Sequence, residues 1–200
     1  MRRNVAILIF PEVEVLDFTG PFEVFAVTDE LNEGKFFHTF TVAGSPGIVR
    51  ARNGLQIAPD HTFASAPAAD IFVVPGGAGT RALLKQPAGL EWVREQAGQA
   101  EVVASVCTGV LVLASAGLLH GLRATTHYEN FAELAALAPG TDIDQARRFT
   151  DNGRVLTSAG ISAGIDLSLH IVSRLHGTAT AEKTARYMEY HWRNDGGTTR

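Results

Sequence analysis

The chain has 200 residues, and 46% of them are hydrophobic, which is enough for one domain with a full apolar core. Its 17 Lys and Arg residues against 21 Asp and Glu residues give a formal net charge of −4, and no basic run stands out, so we expect no nucleic acid to bind this chain. The single cysteine, Cys107, excludes an internal disulfide and any CxxC metal or redox motif.

The N-terminus superficially resembles a secretion signal, because Arg2 and Arg3 precede an apolar run at residues 5–10. Pro11 and the acidic residues after it end that run early, and no small-residue cleavage site follows. No segment approaches the ~20 apolar residues needed to cross a bilayer. We therefore expect a cytoplasmic protein that makes no membrane contact.

The first part of the chain predicts two buried strands with a helix between them. Residues 5–10 and 37–43 are apolar runs typical of strands inside a sheet. The periodic apolar residues within 22–27 predict a helix, with Pro21 in its first turn. Asp17 precedes this helix, so its carboxylate is either a helix cap or a functional group.

A hairpin and a glycine loop follow. Asn53-Gly54 predicts a β-hairpin over residues 48–58, and residues 70–74 predict another buried strand. The strand opens into Pro-Gly-Gly-Ala-Gly, which does not fit GxGxxG and is not followed by Lys-Ser/Thr, so nucleotide binding is poorly supported. Because glycines permit close backbone approach, the N–H groups of Gly76 and Gly77 are candidates for binding a substrate.

Cys107 lies between a strand predicted at 102–106 and a helix predicted at 110–116. A side chain at such a strand-to-helix turn is held away from the sheet, and the helix N-terminus favours an anion. Both features predict a lowered thiol pKa and a nucleophilic cysteine. The alternative is a small buried hydrophobe, as many free cysteines are.

The remaining elements continue the alternation of strands and helices. Helices are predicted at 80–85, 90–98, 129–137, 165–175 and 179–192, strands end near His127 and Ser158, and 193–200 is expected to be a frayed tail. This order predicts an α/β sandwich with a mainly parallel sheet, in one domain spanning 1–200. In such sheets, ligands bind beyond the carboxyl ends of the strands. The residues expected to meet there are Asp17, Gly76, Gly77, Cys107 and His127.

Five short motifs, in this order, resemble the DJ-1/PfpI superfamily. They are Leu-Asp-Phe-Thr-Gly-Pro-Phe-Glu-Val around Asp17, Val-Val-Pro-Gly-Gly, Val-Cys-Thr-Gly around Cys107, Ala-Thr-Thr-His, and Thr-Ser-Ala-Gly-Ile-Ser-Ala-Gly-Ile-Asp. The resemblance covers nearly the whole chain, from Val5 to about Trp192. It implies a flavodoxin-like sandwich with helices on both faces, a cysteine at a nucleophile elbow, and a homodimer.

Two positions distinguish branches of this superfamily. Peptidase-type and many deglycase-like members carry His directly after the cysteine, where this chain has Thr108. DJ-1-like members carry Glu near the end of the first loop, and the acidic residue in that neighbourhood of this chain is Asp17. Asp together with Cys-Thr is similar to the isocyanide hydratase branch, and also to the ligand-binding halves of AraC-type transcriptional regulators.

The hydratase resemblance implies a specific chemistry. Cys107 would attack the terminal carbon of R–N≡C, and Asp17 would act as general acid and base on the way to an N-substituted formamide. Thr108 would hydrogen-bond Asp17 or present its backbone N–H, and the N–H of Gly77 would bind developing charge. The resemblance implies neither a metal nor an organic cofactor.

Three functions stay open at this point. The first is a hydratase or lyase for a small, apolar, electrophilic substrate, whose R group the sequence does not specify. The second is a non-catalytic ligand-binding module, and the third is a thiol redox sensor with an exposed, low-pKa cysteine. His127 either contacts the site or is a structural histidine beside Tyr128, and the other histidines show no metal-ligand spacing.

Overall fold

The computed structural model describes residues 2–194, so most of the predicted frayed tail, 195–200, lies outside the described residues. The strands are β1 (Arg3–Leu8), β2 (Phe37–Ala43), β3 (Val49–Arg50), β4 (Gln56–Ile57), β5 (His61–Thr62), β6 (Ile71–Val74), β7 (Val102–Val106), β8 (Arg123–Ala124), β9 (Asp142–Ile143), β10 (Phe149–Asp151) and β11 (Val155–Ser158). The helices are α1 (Val15–Glu30), α2 (Thr80–Leu83), α3 (Pro87–Gln99), α4 (Gly109–Ser115), α5 (Phe131–Leu137), α6 (Ala163–His176) and α7 (Thr178–Tyr187). Within residues 2–194, none of the helices is long and apolar enough to cross a membrane.

Seven strands form one sheet in the order β10-β11-β7-β6-β1-β2-β5, and only the β10–β11 pair is antiparallel. β6 and β7 are buried along their whole length, which is why their sequences are nearly continuous apolar runs. Helices α1, α6 and α7 pack together as one group, and α2, α3 and α5 pack on α4 as another. The mainly parallel α/β sandwich predicted from the sequence is confirmed.

The strand order explains where a site forms. The chain adds β2 on one side of β1 and then adds β6 and β7 on the other side. A crevice opens outside the carboxyl ends of the strands where the order reverses in this way. Asp17 follows β1, Gly76 follows β6, and Cys107 follows β7, so three neighbouring strands deliver these three residues to the same crevice.

The start of the first helix and the end of the last helix differ most from the sequence prediction. α1 already begins at Val15, so Pro21 lies inside the helix and not in its first turn. A proline there has no N–H to donate to the carbonyl four residues earlier, and the rest of the helix tolerates the loss of that one hydrogen bond. The last helix ends at Tyr187 instead of residue 192.

The segment before His127 also differs. It is not the end of a central strand, because β8 pairs with β9 in a separate two-stranded sheet. The N–H of Thr125 donates to the Thr157 hydroxyl at 2.8 Å, which attaches the segment to β11 through a side chain instead of a backbone ladder. The hairpin around Asn53-Gly54 is confirmed as the antiparallel β3–β4 pair, with Asn53 at φ 61° and Gly54 at φ 90°.

Candidate active site

Cys107 occupies a strained turn directly after β7. Its backbone has a φ of 56°, a left-handed conformation that costs a non-glycine residue on the order of 1–3 kcal/mol. The surrounding structure holds it there. Its N–H donates to the carbonyls of Ser158 and Ala159, both at 3.2 Å, and its own carbonyl accepts from the Thr126 hydroxyl at 2.9 Å. The elbow predicted from the sequence is therefore present, and the neighbouring strand β11 fixes it.

The prediction of a lowered thiol pKa is wrong. Burial, followed by the negative charge of Asp17, raises the pKa of Cys107 to about 12. The backbone N–H of Thr108 acts in the opposite direction, but it does not compensate. α4 has only seven residues, so its N-terminus offers a weak dipole against the desolvation of a thiolate. The resting cysteine is a buried thiol.

Asp17 is fully buried and is held by two backbone donors. The N–H of Gly76 donates to Oδ2 at 3.0 Å, and the N–H of Ile161 donates to Oδ1 at 3.1 Å. Burial raises the pKa of the carboxyl to about 7, and the charge of Glu14 also raises it, while the two backbone bonds and the Cys107 side chain lower it. The helix-cap interpretation is wrong, because the N-cap position is Glu14 and Asp17 caps no N–H of its own helix.

Thr108 and the glycine loop bond to each other. The N–H of Gly77 donates to the Thr108 hydroxyl at 2.9 Å, and that hydroxyl lies 3.2 Å from the Gly77 carbonyl. The predicted hydrogen bond from Thr108 to Asp17 is wrong for the hydroxyl, which pairs with Gly77. The backbone N–H of Thr108 interacts with the Cys107 thiol, and the alternative, that this N–H serves the reaction, stays a prediction. A Cβ at position 76 would lie 2.6 Å from the Thr108 N and 2.8 Å from Oδ2 of Asp17, so only glycine fits there.

The N–H groups of Gly76 and Gly77 are thus both engaged inside the protein. These two N–H groups hold the Asp17 carboxyl and the Thr108 hydroxyl in place next to Cys107. Their predicted contact with a substrate requires one of these bonds to be exchanged, and it stays a prediction.

A cavity of about 270 Å³ opens beside the cysteine. The backbone and side chains of Gly77, Cys107, Thr108, His127 and Ile161 form part of its wall. The charged residues around it are Glu14, Arg52, Arg81 and Glu129. A wall with two guanidinium groups and two carboxylates suits a ligand that is polar or partly polar. The cavity is therefore more polar than we expected for a small apolar substrate.

None of these four charged residues was identified as a site residue from the sequence. Arg52 lies at the tip of the β3–β4 hairpin, and its N–H donates to the Val13 carbonyl at 3.0 Å. Its guanidinium pairs with the carboxylate of Glu14 at 2.8 Å. No sequence pattern indicates that the tip of this hairpin packs against the segment after β1. Arg52 and Glu14 therefore cannot be recognised as site residues before the fold is known.

His127 lies at the wall of the cavity and is 22% exposed. Its Nδ1 accepts from the Glu129 N–H at 3.4 Å, which places the proton of the neutral ring on Nε2. Its ring packs against Tyr128, with a centroid distance of 4.5 Å, and a Cβ at Gly160 would come within 2.4 Å of it. Both interpretations of this histidine therefore apply, since it is structurally bonded and also faces the site.

The described residues offer no cluster of three His, Cys, Asp or Glu side chains that could hold a metal ion. What the arrangement can do on its own is proton transfer between a buried thiol and a buried carboxyl. The pKa of Asp17 at about 7 suits a group that both accepts and returns a proton near neutral pH.

The fold and the site define a protein of the DJ-1/PfpI class. Residues 3–174 match the DJ-1/PfpI family, and the chain belongs to that family. Among its relatives, the isonitrile (isocyanide) hydratase of Pseudomonas putida is 38% identical over 190 residues, which cover 95% of this chain and 79% of that protein. A ThiJ/PfpI family protein from Pseudomonas syringae has a crystal structure with a TM-score of 0.86 at 30% identity, covering 96% of this chain and 77% of that one.

Transcriptional regulators are also related to the chain. The HTH-type regulator CdhR of Pseudomonas aeruginosa is 31% identical over 183 residues, which cover 90% of this chain. They cover only 53% of the regulator, so the chain spans about half the length of that relative.

Proposed function

We propose that the protein is a cysteine-dependent hydratase that adds water to isocyanides and releases N-substituted formamides. The observation that supports this most is that Cys107 lies in the wall of one cavity and its thiol interacts with the carboxyl of Asp17, which is fully buried behind it and aligned by two backbone N–H groups. The 38% identity to an isonitrile hydratase supports the same chemistry.

In the first step, the thiol adds across the isocyanide carbon. Because the pKa of the Cys107 thiol is raised to about 12, the thiolate is not present before the substrate binds. The thiol therefore loses its proton as the S–C bond forms. The carboxylate of Asp17 takes that proton and delivers it to the same carbon. The product of the step is the thioimidate R–N=CH–S–Cys107, and the overall charge of the pair is unchanged.

In the second step, water adds to the thioimidate carbon. Asp17 takes a proton from the water and passes it to the nitrogen, which gives R–NH–CH(OH)–S–Cys107. This intermediate collapses to R–NH–CHO as the C–S bond breaks, and the hydroxyl proton returns to the sulfur through Asp17. The cycle consumes one isocyanide and one water and needs neither an oxidant nor a reductant.

The sequence similarity to the transcriptional regulators favours one alternative function, a domain that binds a ligand without catalysing a reaction. Such a module needs the cavity but does not need a proton carrier. Asp17 engages its two backbone donors from Gly76 and Ile161 and touches the thiol instead of capping its helix, and this placement favours the hydratase. The redox-sensor interpretation loses support, because it requires an exposed thiol of low pKa, whereas Cys107 is 8% exposed and its pKa is raised.

The experiment is a panel of neutral alkyl and aryl isocyanides incubated with the wild type and with Cys107→Ser, with formamide detected by NMR. We expect formamide with the wild type and none above background with Cys107→Ser. A folded wild type that hydrates no member of the panel would refute the hydratase, and ligand binding without turnover would then support the regulator-type module.

A further inference from the structure

A second cavity of about 560 Å³ adjoins the one that contains Cys107. The two share His127 and Ile161 in their walls. Tyr128 and Phe131 add aromatic surface to the second cavity. Among the described residues that line it, Arg148 is the only one that carries a permanent charge. An aromatic wall with one fixed cation suits a ligand that has an apolar body and an anionic end.

The strand order places Arg148 close to the reacting cysteine. The N–H of Cys107 donates to the Ala159 carbonyl at 3.2 Å, and the N–H of Ala159 donates to the Arg148 carbonyl at 2.8 Å. The three residues are therefore neighbours across the ends of adjacent strands. Two strand spacings separate the backbones of Cys107 and Arg148 by roughly 10 Å. A short carbon spacer between the isocyanide carbon and a carboxylate would bridge a distance of this size.

The guanidinium of Arg148 is fixed from behind. Its Nε and Nη2 both lie 2.7 Å from Oδ2 of Asp166, a carboxylate with no exposed surface, and Nη2 also contacts the Ser162 hydroxyl at 3.3 Å. The hydroxyl of Tyr190 is close enough for its pKa to respond to both charges. Within residues 2–194, Nη1 makes no hydrogen bond of good geometry. Asp166 balances the charge of Arg148 and orients its guanidinium, so the donor left for a ligand carboxylate is Nη1, which can form a charge-assisted hydrogen bond.

We infer that the second cavity is the subsite for the R group of the substrate, and that Arg148 there binds a carboxylate carried at the end of a short apolar spacer. The inference rests on the proposed function and specifies its substrate class as ω-isocyano carboxylates. It also gives a role to the one cation in the wall of the second cavity, which a purely alkyl substrate would leave unused.

The test compares ω-isocyano carboxylates of increasing chain length with the alkyl isocyanides of the same length. We expect the wild type to prefer the carboxylate of one chain length in kcat/KM. Arg148→Gln should lower kcat/KM for that carboxylate by about tenfold or more, the size of a lost charge-assisted hydrogen bond, and should change the alkyl isocyanide by less than about threefold. Arg147→Gln is the matched control, because its guanidinium is 62% exposed and does not line this cavity.

Arg148→Gln leaves the buried Asp166 without its partner and could unfold the protein. The double variant Arg148→Gln/Asp166→Asn removes both charges and replaces the single variant in that case. No carboxylate preference in the wild type, or an equal loss for both substrate types in a folded variant, would overturn the inference.

A binding measurement separates this inference from the hydratase proposal. Calorimetry with valerate, and with pentanol as its uncharged counterpart, requires no turnover. If no isocyanide is hydrated, tighter binding of valerate than of pentanol by the wild type, lost in the Arg148 variant, still supports the subsite. Equal binding of the two probes, or none, overturns it. Hydration of alkyl isocyanides without any carboxylate effect removes the subsite and leaves the hydratase intact.

Discussion

Replacement of Asp17 by asparagine should change how the stability of the protein depends on pH. The pKa of this buried carboxyl is raised from 3.8 to about 7, so the folded state holds a proton that the unfolded state releases. Its contribution to the free energy of unfolding is fully present below the unfolded pKa and is lost as the pH rises through about 7. Between about pH 5 and about pH 8 the loss is roughly 2–3 kcal/mol, since one pKa unit is worth about 1.4 kcal/mol.

An asparagine side chain cannot titrate, so the Asp17→Asn variant should lack this loss. It also carries a constant penalty of about 1–3 kcal/mol, because both oxygens of Asp17 accept backbone N–H bonds and an amide offers one acceptor only. The variant should therefore be less stable than the wild type at low pH and should approach or overtake it at high pH. Urea denaturation of both proteins at the two pH values measures the difference.

Asp144→Asn is the matched control. Asp144 also accepts two backbone N–H bonds, from Ala146 and Arg147, but its pKa is lowered, and the backbone bonds and the charge of Arg147 outweigh desolvation there. Its contribution is lost only as the pH falls below about 4, so the gap between this variant and the wild type should stay constant from pH ~5 to pH ~8. A constant gap for Asp17→Asn as well would refute the raised carboxyl pKa.

Thiol reactivity, the Thr108 hydrogen bond and the oligomeric state provide three further tests. With a pKa raised to about 12, the thiol of Cys107 should be alkylated more slowly than a free cysteine of pKa ~8.5. Asp17→Asn should speed this alkylation by removing the carboxylate charge. A midpoint of the wild-type alkylation-rate profile at or below pH ~8.5 would instead indicate a preformed thiolate. Thr108→Val removes the acceptor for the Gly77 N–H and should cost about 1–3 kcal/mol of unfolding free energy, whereas Thr108→Ser keeps the oxygen and should melt near the wild type; equal losses would contradict the hydrogen-bond reasoning. The protein should be a homodimer, as the resemblance implies, and light scattering at micromolar concentration that finds only monomer would disprove this.

The meeting of the main site residues could be predicted because it follows from topology. Parallel strands place whatever follows them at one edge of the sheet, and Asp17, Gly76 and Cys107 each come after an apolar run that is recognisable in the sequence. The left-handed backbone of Cys107 was predictable for the same reason, since a strand that passes directly into a helix has to turn sharply there.

The protonation state of the site could not be predicted. A strand-to-helix turn indicates a helix N-terminus, but it does not show how deeply the thiol is buried or that a carboxylate faces it. Those two features decide the pKa of Cys107. One of the donors that hold Asp17 is the N–H of Ile161, 144 residues further along the chain, and no local pattern predicts such a contact.

The charged residues of the two cavities were unpredictable for a related reason. Arg52 belongs to a hairpin tip whose position depends on its docking onto Val13. Arg148 reads in the sequence as one of two adjacent surface arginines. Only the pairing of β10 with β11 and the burial of Asp166 distinguish it from Arg147.

The most direct test of the proton-carrier role is single-turnover kinetics of Asp17→Asn with an isocyanide that the wild type hydrates. The variant keeps Cys107, and its thiol should remain alkylatable. Formamide formation should nevertheless fall by roughly 10²–10⁴-fold, the usual contribution of a positioned proton-transfer group. Turnover at the wild-type rate in a folded variant would contradict the mechanism, because the thiol would then have added to the isocyanide without the carboxylate that exchanges its proton.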